Sequence, residues 1–260
     1  MKKQHLMLLE PPPHLSPSSI AVFQQCPLRF KFSKIDGFRE PDTEATIMGN
    51  FVHEILEMLF RMAPEDRTID YAKSVASGLW NEGNWKNKVI DVIGKDENQL
   101  REFRWKSWWC LENYFKIEDP QNIEPDGIEH EVNGLIDGVK IKGFIDRWSC
   151  VDNEITVSDY KTGKTPAPKY RKDKFIQLLI YAILLEQETG IPSKKIELLY
   201  LKEGKVLSSE VKEEDISHVK STIVNVHSEM MKRCEVGKFE YKTSTLCGWC
   251  SFKKMCPAWT

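Results

Sequence analysis

The order of apolar and polar positions divides the chain into a helical first half and a second half in which strands and helices alternate. Ser16 followed by Pro17 is typical of a helix start, because a hydroxyl caps the free amide groups and proline suits the first turn. Residues 46–62 have apolar side chains on one helical face, and residues 65–120 continue in a helical, aromatic-rich pattern. We therefore predict helices through this half, with 65–120 as an insertion.

The chain then changes to the two-residue period of strands. Asp137-Gly138 and Asp152-Asn153 are turn sequences, which predicts strands near 129–136, 139–149 and 154–161. The elements expected after them are listed here: an apolar helix over 174–188, a strand pair over 196–201 and 205–211, and a helix around 213–235. This order predicts an α/β or α+β core with helices layered on a sheet.

Composition narrows the class of protein. The chain has 260 residues, of which 41% are hydrophobic, and a formal charge of -2, so it is neither a disordered chain nor a polycationic nucleic-acid coat. The apolar stretch at 6–9 is too short for a signal peptide, and the longest apolar run, 178–185, is too short for a bilayer. We predict a cytoplasmic protein without membrane association, with a flexible lead over 1–15 and a single domain over 16–260.

Acidic residues and a lysine fall on two neighbouring predicted strands. Asp159 and Lys161 point to the same face because side chains alternate along a strand, and Asp146 lies on the preceding arm of the hairpin. Glu131, on the first strand, is a less secure addition. Like charges this close repel, whereas Mg²⁺ or Mn²⁺ would bind them through oxygen and activate a water for hydrolysis. A solvated strand face is the alternative for the Asp-x-Lys motif alone.

Two further motifs favour the metal site over a solvated strand face. His53 lies four residues after Gly49 on the early helix, and Gln177 and Tyr181 share one face of the apolar helix. In this order, the motifs Gly49…His53, Gly143…Asp146, Asp159…Lys161 and Gln177…Tyr181 resemble the RecB-like branch of the PD-(D/E)xK nuclease superfamily. Ile145 stands where the superfamily name has proline.

The resemblance implies a restriction-endonuclease-like core, with a mixed central sheet flanked by helices, and a set of residue roles. His53, Asp146, Asp159 and the backbone carbonyl of Tyr160 would be metal ligands, and Lys161 would be the catalytic lysine. Gln177 and Tyr181 would support the site and contact DNA. The implied activity is a Mg²⁺- or Mn²⁺-dependent exonuclease on single-stranded DNA ends, in repair, recombination, replication or CRISPR adaptation, with a helicase or another recombination or replication protein as a possible partner.

Three of the seven cysteines, Cys247, Cys250 and Cys256, have the spacing of metal ligands in the tail over 236–260. A closed site needs a fourth thiolate, and spacing alone does not choose between Cys26 and Cys234. The pattern also resembles AddB-type and CRISPR-adaptation nucleases, which implies Cys26 as the fourth ligand of a [4Fe–4S] cluster that joins the two ends of the domain. Zn²⁺ is the alternative at a four-cysteine site.

A basic loop follows the Asp-x-Lys motif, where phosphate groups would be attracted. Its candidate DNA-binding residues are Lys164, Lys169, Arg171, Lys172 and Lys174. Thr162-Gly163-Lys164-Thr165 is not a phosphate-binding P-loop, because Ser158 stands where that motif requires glycine. The alternative function is a catalytically silent iron–sulfur or zinc protein that serves as a DNA-binding scaffold subunit of a nuclease-helicase complex. The oligomeric state is left open by the sequence.

Overall fold

The structure, a computed structural model, describes residues 8–259. Its α-helices, in chain order, are α1 (Pro17–Gln25), α2 (Pro27–Phe30), α3 (Glu44–Phe60), α4 (Ile69–Asn81), α5 (Trp85–Ile93), α6 (Glu97–Ile117), α7 (Arg171–Lys174), α8 (Ile176–Thr189) and α9 (Glu213–Val236). Its strands are β1 (Gly127–Ile136), β2 (Val139–Val151), β3 (Glu154–Lys161), β4 (Ser193–Tyr200) and β5 (Lys205–Glu210). None of the helices in the described range is both long and apolar enough to cross a bilayer.

The strands form one five-stranded mixed sheet in the order β1-β2-β3-β4-β5. β3 pairs antiparallel with β2 and parallel with β4, and β5 closes the sheet antiparallel to β4. The parallel pair requires a crossover, which α8 provides. The hairpin turns at Asp137 and Asp152 have positive φ angles, as the sequence predicts for such turns. The α+β fold with a mixed sheet flanked by helices is confirmed.

The contacts divide the described chain into two compact units, whereas the sequence predicts one domain from residue 16. One unit contains residues 8–41, 132–143 and 212–259, and the other contains residues 42–131 and 144–211. In the first unit, α1 packs against α9, and the rings of Phe23, Phe30 and Phe239 form an aromatic cluster. Each unit therefore has an apolar core of its own.

The predicted flexible lead falls in the first unit and is only partly described. Residues 1–7 lie outside the described residues. Further along, Leu15 is 1% exposed and pairs with Ile141 of β2, and the Leu9 amide donates to the Cys234 carbonyl. A buried leucine and backbone hydrogen bonds to two other segments hold residues 9–15 in the fold, so the ordered chain begins before residue 16.

The second unit has a core built from α3, α4, α5 and α6. The apolar face of α3 carries Phe51, Ile55 and Leu59, and the sheet contributes Tyr160 and Leu199 to the same core. The α3 helix begins at a Thr43 cap whose hydroxyl accepts from the Thr46 amide, which satisfies a free helix-end donor. One polar side chain of α3, His53, also reaches the backbone of β3 at Tyr160.

Candidate active site

The candidate active site lies within the second unit, where α3 meets β1, β2 and β3. On the antiparallel pair β2–β3, Arg147 is opposite Ser158, so Asp146 and Asp159 follow at the next step of the ladder. The Tyr160 amide donates to Asp146 Oδ2 at 2.7 Å. Asp146 and Asp159 are 9% and 2% exposed. The strand register thus brings two buried carboxylates together, as the sequence predicts.

His53 completes this arrangement from α3. Its Nε2 donates to the Tyr160 carbonyl at 3.0 Å, and a carbonyl only accepts, so the neutral ring leaves Nδ1 without a proton. Nδ1 lies 3.6 Å from Asp146 Oδ2 and 3.9 Å from Glu129 Oε1. Burial lowers the pKa of His53 in spite of the carboxylates around it, which favours the neutral form that binds metals.

Glu129, rather than Glu131, is the acidic residue of β1 at this site. One ligand atom each from His53, Glu129 and Asp146 lie within 4.8 Å of one another, whereas the side chain of Glu131 is exposed. Ordinary strand alternation would put both glutamates on one face. Glu129 has a φ of 44°, which is rare for a residue with a side chain and disturbs the alternation. This local distortion corrects the sequence-based choice of Glu131 and is not readable from the sequence.

The electrostatics of the carboxylates favour a bound cation. Burial and the neighbouring Asp146 raise the pKa of Glu129 to about 7. Burial and Asp159 likewise raise the pKa of Asp146 well above its usual range. Groups that resist ionisation when the site is empty can ionise when a divalent ion supplies opposite charge, and oxygen donors with one imidazole suit Mg²⁺ or Mn²⁺. The donor set therefore fits a divalent metal.

Asp159 connects this group to the lysine and the apolar helix. Its Oδ2 lies 2.5 Å from Lys161 Nζ, and its Oδ1 accepts from Gln177 at 3.1 Å. The same Gln177 nitrogen lies 3.0 Å from the hydroxyl of Tyr181, whose pKa burial raises to about 12. Burial opposes the charge of Lys161, but the attraction of Asp159 outweighs it and the lysine pKa is raised. The lysine is therefore protonated at neutral pH.

A buried ion pair lies behind the site and is not predicted from the sequence motifs. The Arg147 guanidinium binds both oxygens of Glu118, at 2.7 and 2.8 Å, and is 4% exposed. It also donates to the hydroxyls of Tyr160 and Tyr114, at 3.2 and 3.3 Å. The sequence does contain a sign of this pair. Neighbouring strand residues face opposite sides of the sheet, so an arginine next to Asp146 predicts a second charged group on the side away from the carboxylates.

The basic loop follows directly from Lys161. Its predicted DNA-binding residues are all exposed, and they are Lys164, Lys169, Arg171, Lys172 and Lys174. The loop returns to the site through α7 and then α8, which carries Gln177. The cations therefore belong to the segment that connects Lys161, at the end of β3, with Gln177 on α8.

The cysteines lie in the first unit. Cys26 lines one cavity together with Cys247, Cys250 and Cys256, and Cys234 is not among its lining residues. All four are half-buried, and backbone amides point at two sulfurs, from Lys242 to Cys26 and from Ser244 to Cys247. In the described range the cysteines form no disulfide. Cys110 and Cys234 are buried, and burial raises the pKa of Cys110 to about 11.

Residues 14–257 match the family model of the PD-(D/E)XK nuclease superfamily, and the chain belongs to that superfamily. It is therefore a nuclease by family, with a site whose donors fit a metal. The chain is 24% identical to the Gene 69 protein of Mycobacterium phage D29 over 210 residues, which cover 70% of this chain and 72% of that protein. It is 27% identical to the Gene 69 protein of Mycobacterium phage L5 over 156 residues, which cover 59% of this chain and 49% of that protein.

A solved structure shares the fold. The crystal structure of a candidate exonuclease from Eubacterium rectale matches with a TM-score of 0.57 at 14% identity. The match covers 91% of this chain and 86% of that one. The similarity supports the restriction-endonuclease-like architecture along nearly the whole chain.

Proposed function

We propose that the protein is a metal-dependent deoxyribonuclease of the RecB-like branch that hydrolyses single-stranded DNA from its ends. One observation carries the proposal: Asp146 and Asp159 are buried side by side between His53 and Lys161. Buried like charges are costly unless an ion compensates them. A purely structural role does not explain why a histidine, three carboxylates and a lysine converge there.

The roles of the residues follow from their contacts. His53, Glu129 and Asp146, with Asp159 and the Tyr160 carbonyl beside them, would hold Mg²⁺ or Mn²⁺, which when bound stabilises phosphate charge and activates an attacking water. Lys161, kept protonated by Asp159, is in a position to stabilise the negative charge that develops on the phosphate. Gln177 holds Asp159 in its orientation through the bond to Oδ1, and Tyr181 holds the glutamine.

The basic loop supports a nucleic-acid substrate. Its exposed cations precede α8, and a phosphate backbone is attracted to such a cluster in a salt-dependent manner. The loop follows Lys161 directly in the chain and leads into α8, which carries Gln177, so DNA bound by these cations would contact the segment that links two site residues. Among these cations, Lys169 and Arg171 flank the exposed ring of Tyr170, which makes them the first to substitute.

The decisive experiment is a nuclease assay on end-labelled single- and double-stranded DNA with Mg²⁺ or Mn²⁺. We expect wild type to shorten single strands from an end and to leave circular single strands intact, while Asp159→Ala and Lys161→Ala are inactive. Asp152→Asn, at an exposed turn between the same strands, is the matched control and should retain full activity. If wild type, Asp159→Ala and Lys161→Ala all degrade DNA equally, the activity does not come from this site.

We also propose that Cys26, Cys247, Cys250 and Cys256 bind a [4Fe–4S] cluster. Their shared cavity supports a common ligand. Zn²⁺, which also binds four cysteines, is the alternative ligand of this cavity. Anaerobically purified protein should be brown and contain iron and sulfide; stoichiometric zinc without iron would contradict the cluster.

A further inference from the structure

The tryptophans of the helical segment divide into buried and exposed groups. Trp80 and Trp85 are 5% and 3% exposed and belong to the core of the second unit. Trp105 and Trp109 on α6 are 60% and 39% exposed, and their rings stack with centroids 5.8 Å apart. An exposed, stacked tryptophan pair leaves much apolar surface in water, which is unusual unless a ligand covers it. Core packing therefore does not explain the position of Trp105 and Trp109.

Trp105 borders a groove between α4 and α6. The groove has Phe51 of α3 among its lining residues, and Trp108 lines it next to Trp105. Three cations also line it: Lys73 from α4, and Arg101 and Arg104 from α6. None of the lining residues in the described range is acidic. The groove thus combines aromatic rings with positive charge.

This combination fits single-stranded nucleic acid better than a protein segment or a duplex. Unpaired bases stack on aromatic side chains, while arginine and lysine follow the phosphate backbone. In a duplex the bases are stacked on each other and do not reach a tryptophan face. An apolar protein segment would leave the three groove cations without opposite charge, whereas a polyanion complements them.

The groove and the candidate active site share the helix α3. Phe51 lines the groove, and His53, two residues later, faces the carboxylates. Two residues correspond to about 200° around a helix, so the groove and the site lie on opposite faces of α3. Since Val52, Ile55 and Leu56 are buried, a strand that reaches both places must pass around α3 rather than across it.

We propose that the groove lined by Lys73, Arg101, Arg104 and Trp105 binds single-stranded DNA outside the place where the bond is cleaved. The proposal rests on the nuclease function proposed above. Trp105, stacked on Trp109, supplies a platform for a base, and Arg101 pairs with a phosphate. Sequence preference is not expected, since every base has a face that can stack.

The test is the affinity for a labelled oligothymidylate about 20 nucleotides long, measured by fluorescence anisotropy in EDTA so that no cleavage occurs. Trp105→Ala should weaken binding by about tenfold, and Trp105→Phe should recover most of the loss because the ring still stacks. Arg101→Ala should reduce the dependence of log affinity on log salt by about 0.7. Trp249→Ala is the matched control, because this tryptophan is 83% exposed in the tail and lies outside the groove.

The outcomes separate this proposal from the nuclease function. If Trp105→Ala folds normally by circular dichroism and binds the oligonucleotide as tightly as wild type, the proposal that the groove binds DNA is wrong. An equal loss of DNA affinity in Trp249→Ala also contradicts it. A change in oligomeric state without a change in DNA affinity contradicts it too, and would indicate a protein contact. If wild type binds through Trp105 but cleaves no DNA with Mg²⁺ or Mn²⁺, the nuclease function fails and the groove stands.

Discussion

The carboxylate site and the cysteine cavity differ in the sequence separation and in the burial of their residues. The first gathers Asp146, Asp159 and Lys161 from two adjacent strands, so its residues are near in sequence, and both carboxylates are buried. The second gathers Cys26 and the tail cysteines, which are more than 200 residues apart, and leaves the thiols half-buried. We therefore expect the carboxylates to destabilise the metal-free fold, and the proposed cluster at the cysteines to stabilise the fold by linking distant segments.

The largest effect that we expect on stability comes from the cysteine cavity. Cys26→Ser would remove one ligand of the proposed cluster and with it a cross-link over a very long loop, which is worth roughly 5 kcal/mol in the chain-entropy model. Thermal unfolding and iron content should fall together. Cys150→Ser, outside the cavity, is the control and should retain iron. A Cys26→Ser protein with wild-type stability and full iron content would contradict the expectation that the cysteine cavity, unlike the carboxylate site, stabilises the fold.

The carboxylate site should respond in the opposite direction. Asp146→Asn keeps an oxygen that accepts from the Tyr160 amide but removes a charge whose ionisation burial opposes. We expect nuclease activity to fall by about 1,000-fold, while the metal-free protein becomes more stable by about 1 kcal/mol. Activity assays and thermal unfolding in EDTA measure the two effects. A large loss of stability would show that Asp146 supports the fold rather than the chemistry.

The buried ion pair behind the site tests how rigidly the carboxylates are held. Glu118→Gln leaves the Arg147 charge buried without its carboxylate and should destabilise the protein by about 3 kcal/mol. The double variant Glu118→Gln, Arg147→Met should recover part of this loss, because no unpaired charge remains. Chemical denaturation of wild type, the single variants Glu118→Gln and Arg147→Met, and the double variant completes the cycle. Additive losses would mean that the pair is not coupled.

The smallest expected effect is the pH dependence of the empty site. The pKa of Glu129 is raised to about 7 from 4.5, so its contribution to stability is complete below about pH 4.5 and is lost as pH rises through 7. With a third of the side chain exposed, the loss should be about 1 kcal/mol. Glu129→Gln should remove this slope in EDTA-treated protein. An unchanged slope in the variant would assign the titration to another group.

Much of the fold follows from local patterns that tertiary structure leaves intact. The hairpin turns at Asp137 and Asp152 need positive φ angles, which the sequence at both turns accommodates, and strand alternation places Asp159 and Lys161 on one face. The apolar run of α8 and the cap of α1 at Ser16 are likewise local signals. His53, Asp146 and Gln177 each lie on an element that the pattern identifies.

Three features were decided only by the tertiary structure. The positive φ of Glu129 exchanges it for Glu131 at the site, and nothing in the residue type requires that distortion. Cys26 joins the tail cysteines through packing within its unit, where spacing alone left Cys234 equally eligible. The exposure of Trp105, against the burial of Trp80, depends on which face of each helix the core covers. Periodicity determines which residues share a face of an element, but long-range packing determines what that face meets.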